Sequence, residues 1–81
     1  MTDAEIRKAF LDELASVAPD IDPATVGDDD HLQDDLDLDS MDFLNLVAAL
    51  HKRLGVSVPE ADYPQIATPG HAVRYLADAL D

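Results

Sequence analysis

Ser40 is the residue of this sequence that is best placed for chemistry, because it stands between an acidic run and a strongly apolar helical pattern. A serine hydroxyl is a poor nucleophile unless a nearby base removes its proton. The histidines lie in unrelated sequence contexts, at His31, His51 and His71, and no glycine elbow surrounds the serine. We therefore predict no catalytic residue, and an acceptor that another enzyme modifies is one role that is open to Ser40.

A helix cap is the simplest alternative role for Ser40, and the residue types alone favour it. Asp39 or Ser40 would begin a helix, because either side chain can accept a hydrogen bond from a free N–H group of the first turn. Gly55 would end that helix, since glycine tolerates the left-handed conformation. A helix N-terminus also favours an incoming phosphodiester, so the cap and the acceptor readings are both open at this point.

The predicted helix has two apolar faces. The first follows the helical period and is predicted to face the core through Phe43, Leu46, Val47, Leu50 and Leu54. The second face is rotated away from the first and consists of Met41, Leu44 and Ala48. A helix that is apolar nearly all round is either buried or presents its second face to a partner.

Aspartates are concentrated before and just after Ser40. They are Asp28, Asp29, Asp30, Asp34, Asp35, Asp37, Asp39 and Asp42. An EF-hand loop beginning at Asp35 would need glycine where Ser40 stands and glutamate where Leu46 stands, so that motif fails. We predict no specific metal site. Loose binding of a divalent cation is an open alternative, and a calcium titration would test for a calcium-binding regulator.

The remaining elements position this helix. Thr2 and Glu5 form a capping box for a first helix that runs to about residue 18, and residues 19–39 form a long connection. Pro64 restricts the third helix to a short or irregular form, and Thr68 with Pro69 begins the last helix. The pattern predicts an all-α fold: a small four-helix bundle with three long helices, a short third helix and a long first loop, in one domain covering residues 1–81.

The predicted core takes apolar residues from every element. The first helix contributes Ile6, Phe10, Leu14 and Val17. The loop contributes Ile21, Val26, Leu32, Leu36 and Leu38. The segment after the second helix contributes Val56, Val58 and Ile66. The last helix contributes Ala72, Val73, Leu76, Ala79 and Leu80.

Charge and composition exclude several classes of function. The 81 residues carry a formal net charge of −13, which argues against nucleic-acid binding and favours partners with basic surfaces, although plain solubility is an alternative explanation. The chain lacks cysteine, so disulfides, thiolate nucleophiles and cysteine–zinc sites are excluded. The polar, acidic N-terminus is unlike a signal peptide, and no stretch is long enough to span a membrane. We expect a cytoplasmic monomer.

The triplet Asp39-Ser40-Met41, together with the segment from Gly55 to Pro59 (Gly-Val-Ser-Val-Pro), resembles the acyl carrier protein family, and the likeness covers the whole chain in length and helix order. It implies that Ser40 carries a 4′-phosphopantetheine arm, attached by a phosphopantetheinyl transferase from coenzyme A with magnesium. The arm's thiol would hold acyl groups as thioesters. Such a protein is a carrier and not an enzyme. Two residues depart from the family pattern: Met41 replaces leucine, and Asp37 replaces glycine, so the turn before Ser40 is expected to differ in detail.

The resemblance also implies a partner surface and an acyl-chain pocket. Acyl-transferring or ligase enzymes would contact Asp39, Met41, Asp42, Leu44, Asn45 and Ala48. The acyl chain would lie among Phe43, Leu46, Val47, Ile66 and Leu76. A structural core explains this second group of residues equally well.

The expected function is that of a freestanding acyl carrier protein in fatty-acid, lipid or polyketide-type synthesis. Housekeeping fatty-acid carriers are acidic along the outer face of this helix. Here Asn45, Ala48 and Ala49 are neutral, and the helix ends in the basic run His51, Lys52 and Arg53. Cations are favoured at a helix C-terminus on dipole grounds, but the pattern also suggests a specialised pathway. The alternatives are an aminoacyl or peptidyl carrier of nonribosomal assembly, and an unmodified acidic helical module that binds a partner.

Overall fold

A computed structural model describes residues 1–80 and contains three α-helices. These are α1 (Asp3–Val17), α2 (Ser40–Leu54) and α3 (Pro69–Leu80), and two 3₁₀ segments cover Pro23–Thr25 and Glu60–Ile66. The predicted all-α fold, with three long helices, a short third helix and a long first loop, is confirmed. Within residues 1–80 no helix is both long enough and apolar enough to cross a bilayer.

Capping residues mark where α1 begins and where α2 begins and ends. The Glu5 N–H donates to Thr2 Oγ1 at 3.2 Å and the Thr2 N–H donates to Glu5 Oε1 at 3.0 Å, so the predicted capping box is confirmed. The hydrogen bonds from Thr2 lower the pKa of the Glu5 carboxyl. At α2, Asp39 is the N-cap and Ser40 is the first helical residue. Gly55 ends this helix in the left-handed conformation, with a φ of 73°.

The third helix is a 3₁₀ segment because of its sequence. Pro64 lies inside it and lacks the backbone N–H that any continuous helix uses, so the segment stays short and irregular. Side chains secure the segment: Asp62 accepts hydrogen bonds from Gln65 Nε2 at 3.1 Å and from the Tyr75 hydroxyl of α3 at 2.7 Å. The bond to the Asp62 carboxylate raises the pKa of Tyr75. The prediction of a short, irregular third helix is confirmed.

The core lies between the three long helices and the inner side of the loop. Its largest fully buried side chains are Phe10, Ile6, Leu14, Leu32, Leu46, Leu50, Ile66, Leu76 and Pro69. Helix α1 contacts both α2 and α3, so it forms the centre of the packing. Two predicted core residues are wrong: Ala79 and Leu80 are exposed, Leu80 by 38%. They continue the periodic face of Ala72 and Leu76, but both side chains are exposed in the last turn of α3, so the apolar period extends beyond the buried part of that face.

The long connection between α1 and α2 is held by its backbone and by buried apolar side chains. The Leu32 N–H donates to the Ala67 carbonyl at 2.9 Å, and the Gly70 N–H donates to the Asp28 carbonyl at 3.0 Å. The Asp28 carboxylate also pairs with Arg7 of α1. Three loop side chains that were predicted to face the core are buried, namely Val26, Leu32 and Leu38. Ile21 and Leu36 are partly buried against it. The loop therefore has a defined path up to Ser40.

Asp37 shapes the turn that delivers the chain to α2. Its φ is 57°, and within residues 1–80 it is the one residue other than glycine with a positive φ. The left-handed region favours glycine because a Cβ atom is crowded there, although aspartate tolerates it better than most residues do. The residue that departs from the family pattern thus adopts a conformation that suits glycine.

The Asp37→Gly variant is expected to be more stable than the wild type by about 0.5–1 kcal/mol, since glycine removes the left-handed strain and one of many like charges. Urea unfolding followed by circular dichroism measures this difference. Asp34→Gly is the matched control, because it removes the same charge at a position where φ is not positive. An equal gain in the free energy of unfolding in both variants would mean that the lost charge causes the effect. It would contradict the idea that the left-handed conformation of Asp37 is strained.

Candidate attachment site at Ser40

Ser40 stands exposed at the N-terminus of α2. The residue before it, Asp39, is also exposed and directs its carboxylate to the backbone: Oδ1 accepts from the Asp42 N–H at 2.7 Å. The cap is therefore provided by Asp39, and the Ser40 hydroxyl is not needed for it. Ser40 is therefore not the N-cap of α2, and its side chain is exposed to solvent.

A pocket of about 400 Å³ opens beside Ser40. Three segments form its sides: residues 31–34 of the loop, the first turn and a half of α2, and the 3₁₀ segment with the residue that follows it. The lining residues are His31, Leu32, Gln33, Asp34, Ser40, Phe43, Leu44, Glu60, Tyr63, Pro64 and Ala67. The lining is mostly apolar, and the polar side chains of the loop are at its exposed edge.

Two aromatic rings and one backbone bond give this pocket its shape. Phe43 of α2 and Tyr63 of the 3₁₀ segment meet edge to face, with ring centroids 5.2 Å apart and an interplanar angle of 71°. This is a favourable geometry for an aromatic pair. On the loop side, the hydrogen bond from Leu32 to Ala67 holds residues 31–34 against the end of the 3₁₀ segment.

The residues predicted to line an acyl-chain pocket fall into two groups in the structure. Phe43 lines the pocket beside Ser40. Leu46, Ile66 and Leu76 are completely buried in the core, and Val47 packs partly buried against it. The predicted set therefore spans both the pocket and the closed interior of the bundle.

The residues predicted to meet partner enzymes lie on the outside of α2. Met41 is 69% exposed and Leu44 is 48% exposed, so two large apolar side chains lie together on this surface. Asp39, Asn45 and Ala48 are exposed as well, and Asp42 is partly buried. The structure brings these residues together on one surface next to Ser40, while Leu44 also touches the pocket.

The sequence reasoning missed most of the pocket lining. His31, Gln33 and Asp34 come from a loop whose path depends on a backbone bond to Ala67, which no local pattern reveals. Tyr63 could have been found, because it precedes Ile66 by three residues and residues at this spacing share a face in a 3₁₀ helix.

The basic end of α2 is partly neutralised within the molecule. Arg53 lies 3.5 Å from both Asp12 and Glu13 of α1. The pKa of the Asp12 carboxyl is lowered, first by the hydrogen bond from Lys8 and to a lesser extent by Arg53. The His51 ring nitrogen Nδ1 lies 2.9 Å from Ser57 Oγ. These contacts favour the structural explanation of the basic run, because part of its charge is already used to join α2 to α1.

Comparison with known proteins identifies the family. The family model described as phosphopantetheine attachment site matches residues 5–76. An acyl carrier protein of Lactobacillus johnsonii is 37% identical over 76 residues, which is 94% of each chain. An acyl carrier protein of Streptomyces coelicolor is 36% identical over 77 residues, covering 90% of this chain and 84% of the relative. Acyl carrier protein AcpXL of Rhizobium etli is 35% identical over 65 residues, covering 76% of this chain and 71% of the relative.

The matched residues 5–76 include the loop, α2 and the 3₁₀ segment, which together line the pocket, as well as most of α1 and α3. Both the helical architecture and the similarity therefore lead to the same conclusion, and the chain belongs to the acyl carrier protein family, whose members are phosphopantetheine-bearing carriers and not enzymes.

Proposed function

We propose that this chain carries acyl groups on a 4′-phosphopantetheine arm bound to Ser40. The observation that supports this most strongly is the position of Ser40, which is exposed, free of the capping role, and beside a pocket of about 400 Å³. In the attachment reaction, Ser40 Oγ would lose its proton and bond to the phosphorus that carries the arm, while the P–O bond of the coenzyme A pyrophosphate breaks and the adenosine bisphosphate part leaves.

The residues around Ser40 fit such an arm. The phosphodiester would lie at the N-terminus of α2, where the helix dipole and backbone N–H groups favour negative charge. Leu32, Phe43, Tyr63 and Ala67 provide apolar surface in the pocket beside it. The arm supplies a terminal thiol that holds an acyl group as a thioester. The protein's own residues supply a tether, an apolar recess and a surface that partners recognise.

Negative charge near Ser40 determines what kind of partner can approach. Asp39 immediately precedes the serine and Asp42 lies in the same helical turn, on a chain whose net charge is −13. These carboxylates repel the phosphates of coenzyme A, so the transferase would bring cations, magnesium among them, and a basic surface. Electrostatic attraction of this kind speeds association and weakens as salt increases.

The exposed face of α2 is the proposed docking surface for both the transferase and the acyl-handling enzymes. Met41 and Leu44 provide apolar contacts, and Asp39 and Asp42 provide charge. Exposed apolar side chains next to carboxylates suit an enzyme surface that combines an apolar patch with lysine or arginine. We propose that residues 1–81 contain one carrier domain and that it acts as a cytoplasmic monomer.

The pathway is proposed to be a specialised lipid, fatty-acid or polyketide-type synthesis. The neutral residues Asn45, Ala48 and Ala49 support this assignment, because they remove negative charge from the middle of α2. The basic run supports it less, since Arg53 is engaged with Asp12 and Glu13. The acidic character of the chain favours acyl over aminoacyl cargo.

One loading experiment tests these assignments. The protein is incubated with coenzyme A and a broad-specificity phosphopantetheinyl transferase, and is then offered to a fatty-acid synthase, to an acyl-activating ligase and to an amino-acid-activating enzyme. Intact mass measures each product. We expect one phosphopantetheine, acyl loading, and slower turnover in the synthase than with that system's own carrier. Aminoacyl loading alone would favour a carrier of nonribosomal assembly. Turnover in the synthase equal to that of the system's own carrier would contradict the specialised pathway. An unchanged mass would favour an unmodified acidic module that binds a partner.

A further inference from the structure

An aromatic pair lines the pocket beside Ser40, whereas the residues one turn deeper on the same two segments lie outside its lining. Phe43 and Tyr63 line the pocket and contact each other edge to face at 5.2 Å. Leu46 lies one turn beyond Phe43 on the same face of α2, and Ile66 lies one turn beyond Tyr63 in the 3₁₀ segment. Neither of these two side chains lines the pocket, and both are completely buried.

We infer that Phe43 and Tyr63 form the floor of the acyl site and limit the chain length that this protein can shelter. The inference rests on the proposed function and adds the class of acyl group to it. Short and medium chains would fill the pocket, whereas the end of a long chain would remain in solvent. Residues Leu46, Ile66 and Leu76 would stay in the core and would not contact the acyl chain while the two rings remain in contact.

The pocket volume sets the approximate limit. A cavity of about 150 Å³ is enough for benzene, so at that packing about 400 Å³ holds roughly sixteen non-hydrogen atoms. If the thiol end of the arm and the thioester group take about half of this space, room is left for about eight chain carbons.

The floor is held in place from outside the pocket. In the 3₁₀ segment, Asp62 is bonded to the Tyr75 hydroxyl of α3 at 2.7 Å and to Gln65 at 3.1 Å, so the residue next to Tyr63 is fixed. Phe43 is buried and belongs to the core cluster, against which Tyr63 packs. Moving either ring would break packing that the fold already uses. The limit on acyl-chain length is therefore set by the same packing that stabilises the fold.

Thermal unfolding of acylated protein tests this inference. The apo-protein is loaded from acyl-coenzyme A donors with chains of about four, eight and twelve carbons by the broad-specificity transferase, and intact mass confirms each product. Each Tm is compared with that of the same variant bearing the unacylated arm. If the carbons added to the acyl chain are half buried in the pocket, every two added carbons raise Tm by roughly 3–6 °C. In the wild type we expect this rise to stop near eight carbons.

Two variants of Tyr63 make the test specific. Tyr63→Phe keeps the ring and is expected to keep the limit, whereas Tyr63→Ala opens the floor and is expected to extend the rise to twelve carbons. Comparing each acylated form with its own unacylated form removes the destabilisation that alanine itself causes. A rise through twelve carbons in the wild type, no dependence on chain length, or the same limit in Tyr63→Ala would overturn the inference. Failure to load any arm would defeat the proposed function and the inference with it.

Discussion

The Ser40→Ala variant is expected to gain no phosphopantetheine under conditions that fully convert the wild type. The reason is chemical, because alanine has no oxygen to form the phosphoester. The fold should not change, since the α2 cap is the Asp39 carboxylate and the Ser40 side chain is exposed. Intact mass measures the modification, and circular dichroism verifies that the variant is folded.

The two other serines of the chain provide matched controls. Ser16 is exposed on α1, and Ser57 is exposed and paired with His51 at 2.9 Å. Neither lies beside the pocket. The Ser16→Ala and Ser57→Ala variants should therefore be modified as completely as the wild type. Loss of modification in either of them, or a modified Ser40→Ala protein, would contradict the assignment of Ser40.

The Leu46→Ala variant is expected to lower the free energy of unfolding by about 3–5 kcal/mol. Leu46 is completely buried, so alanine leaves a cavity in addition to losing the transfer free energy of the removed atoms. The free energy of unfolding of a small domain is only about 5–15 kcal/mol. Repulsion within a chain of net charge −13 lowers it further. We expect partial unfolding near physiological temperature, measured by urea titration at fixed salt.

Leu44→Ala is the control for this prediction, because it makes the same chemical change two residues earlier on the same helix. Leu44 is 48% exposed, and alanine is at least as good a helix former, so stability should change by no more than about 0.5 kcal/mol. Equal losses in the two variants would show that α2 does not pack by the face that the structure shows.

Local signals in the sequence were sufficient to predict the helix boundaries. The capping box at Thr2 and Glu5, the stop at Gly55 and the irregular helix around Pro64 each depend on residues within one turn of each other. The choice between Asp39 and Ser40 as the cap needed coordinates, because both residue types can cap a helix and only the backbone geometry distinguishes them.

Contacts between distant residues could not be predicted in the same way. The Phe43–Tyr63 pair and the Leu32–Ala67 bond join segments that no period or cap relates, so the shape of the pocket was not foreseen. The pairing of Arg53 with Asp12 likewise joins residues about forty positions apart. Ala79 and Leu80 were misassigned for the opposite reason: the helical period continues through them, but the buried part of that face does not.

Locating the arm on wild-type protein tests the central proposal most directly, because it needs no substitution. After incubation with coenzyme A and the transferase, trypsin separates Ser57 from a peptide that contains both Ser16 and Ser40, and fragmentation of that peptide by electron transfer distinguishes the two. The added phosphopantetheine should be found on Ser40 alone. An arm on Ser16 or Ser57, or a fully unmodified chain, would contradict the account of this protein as a carrier that uses Ser40.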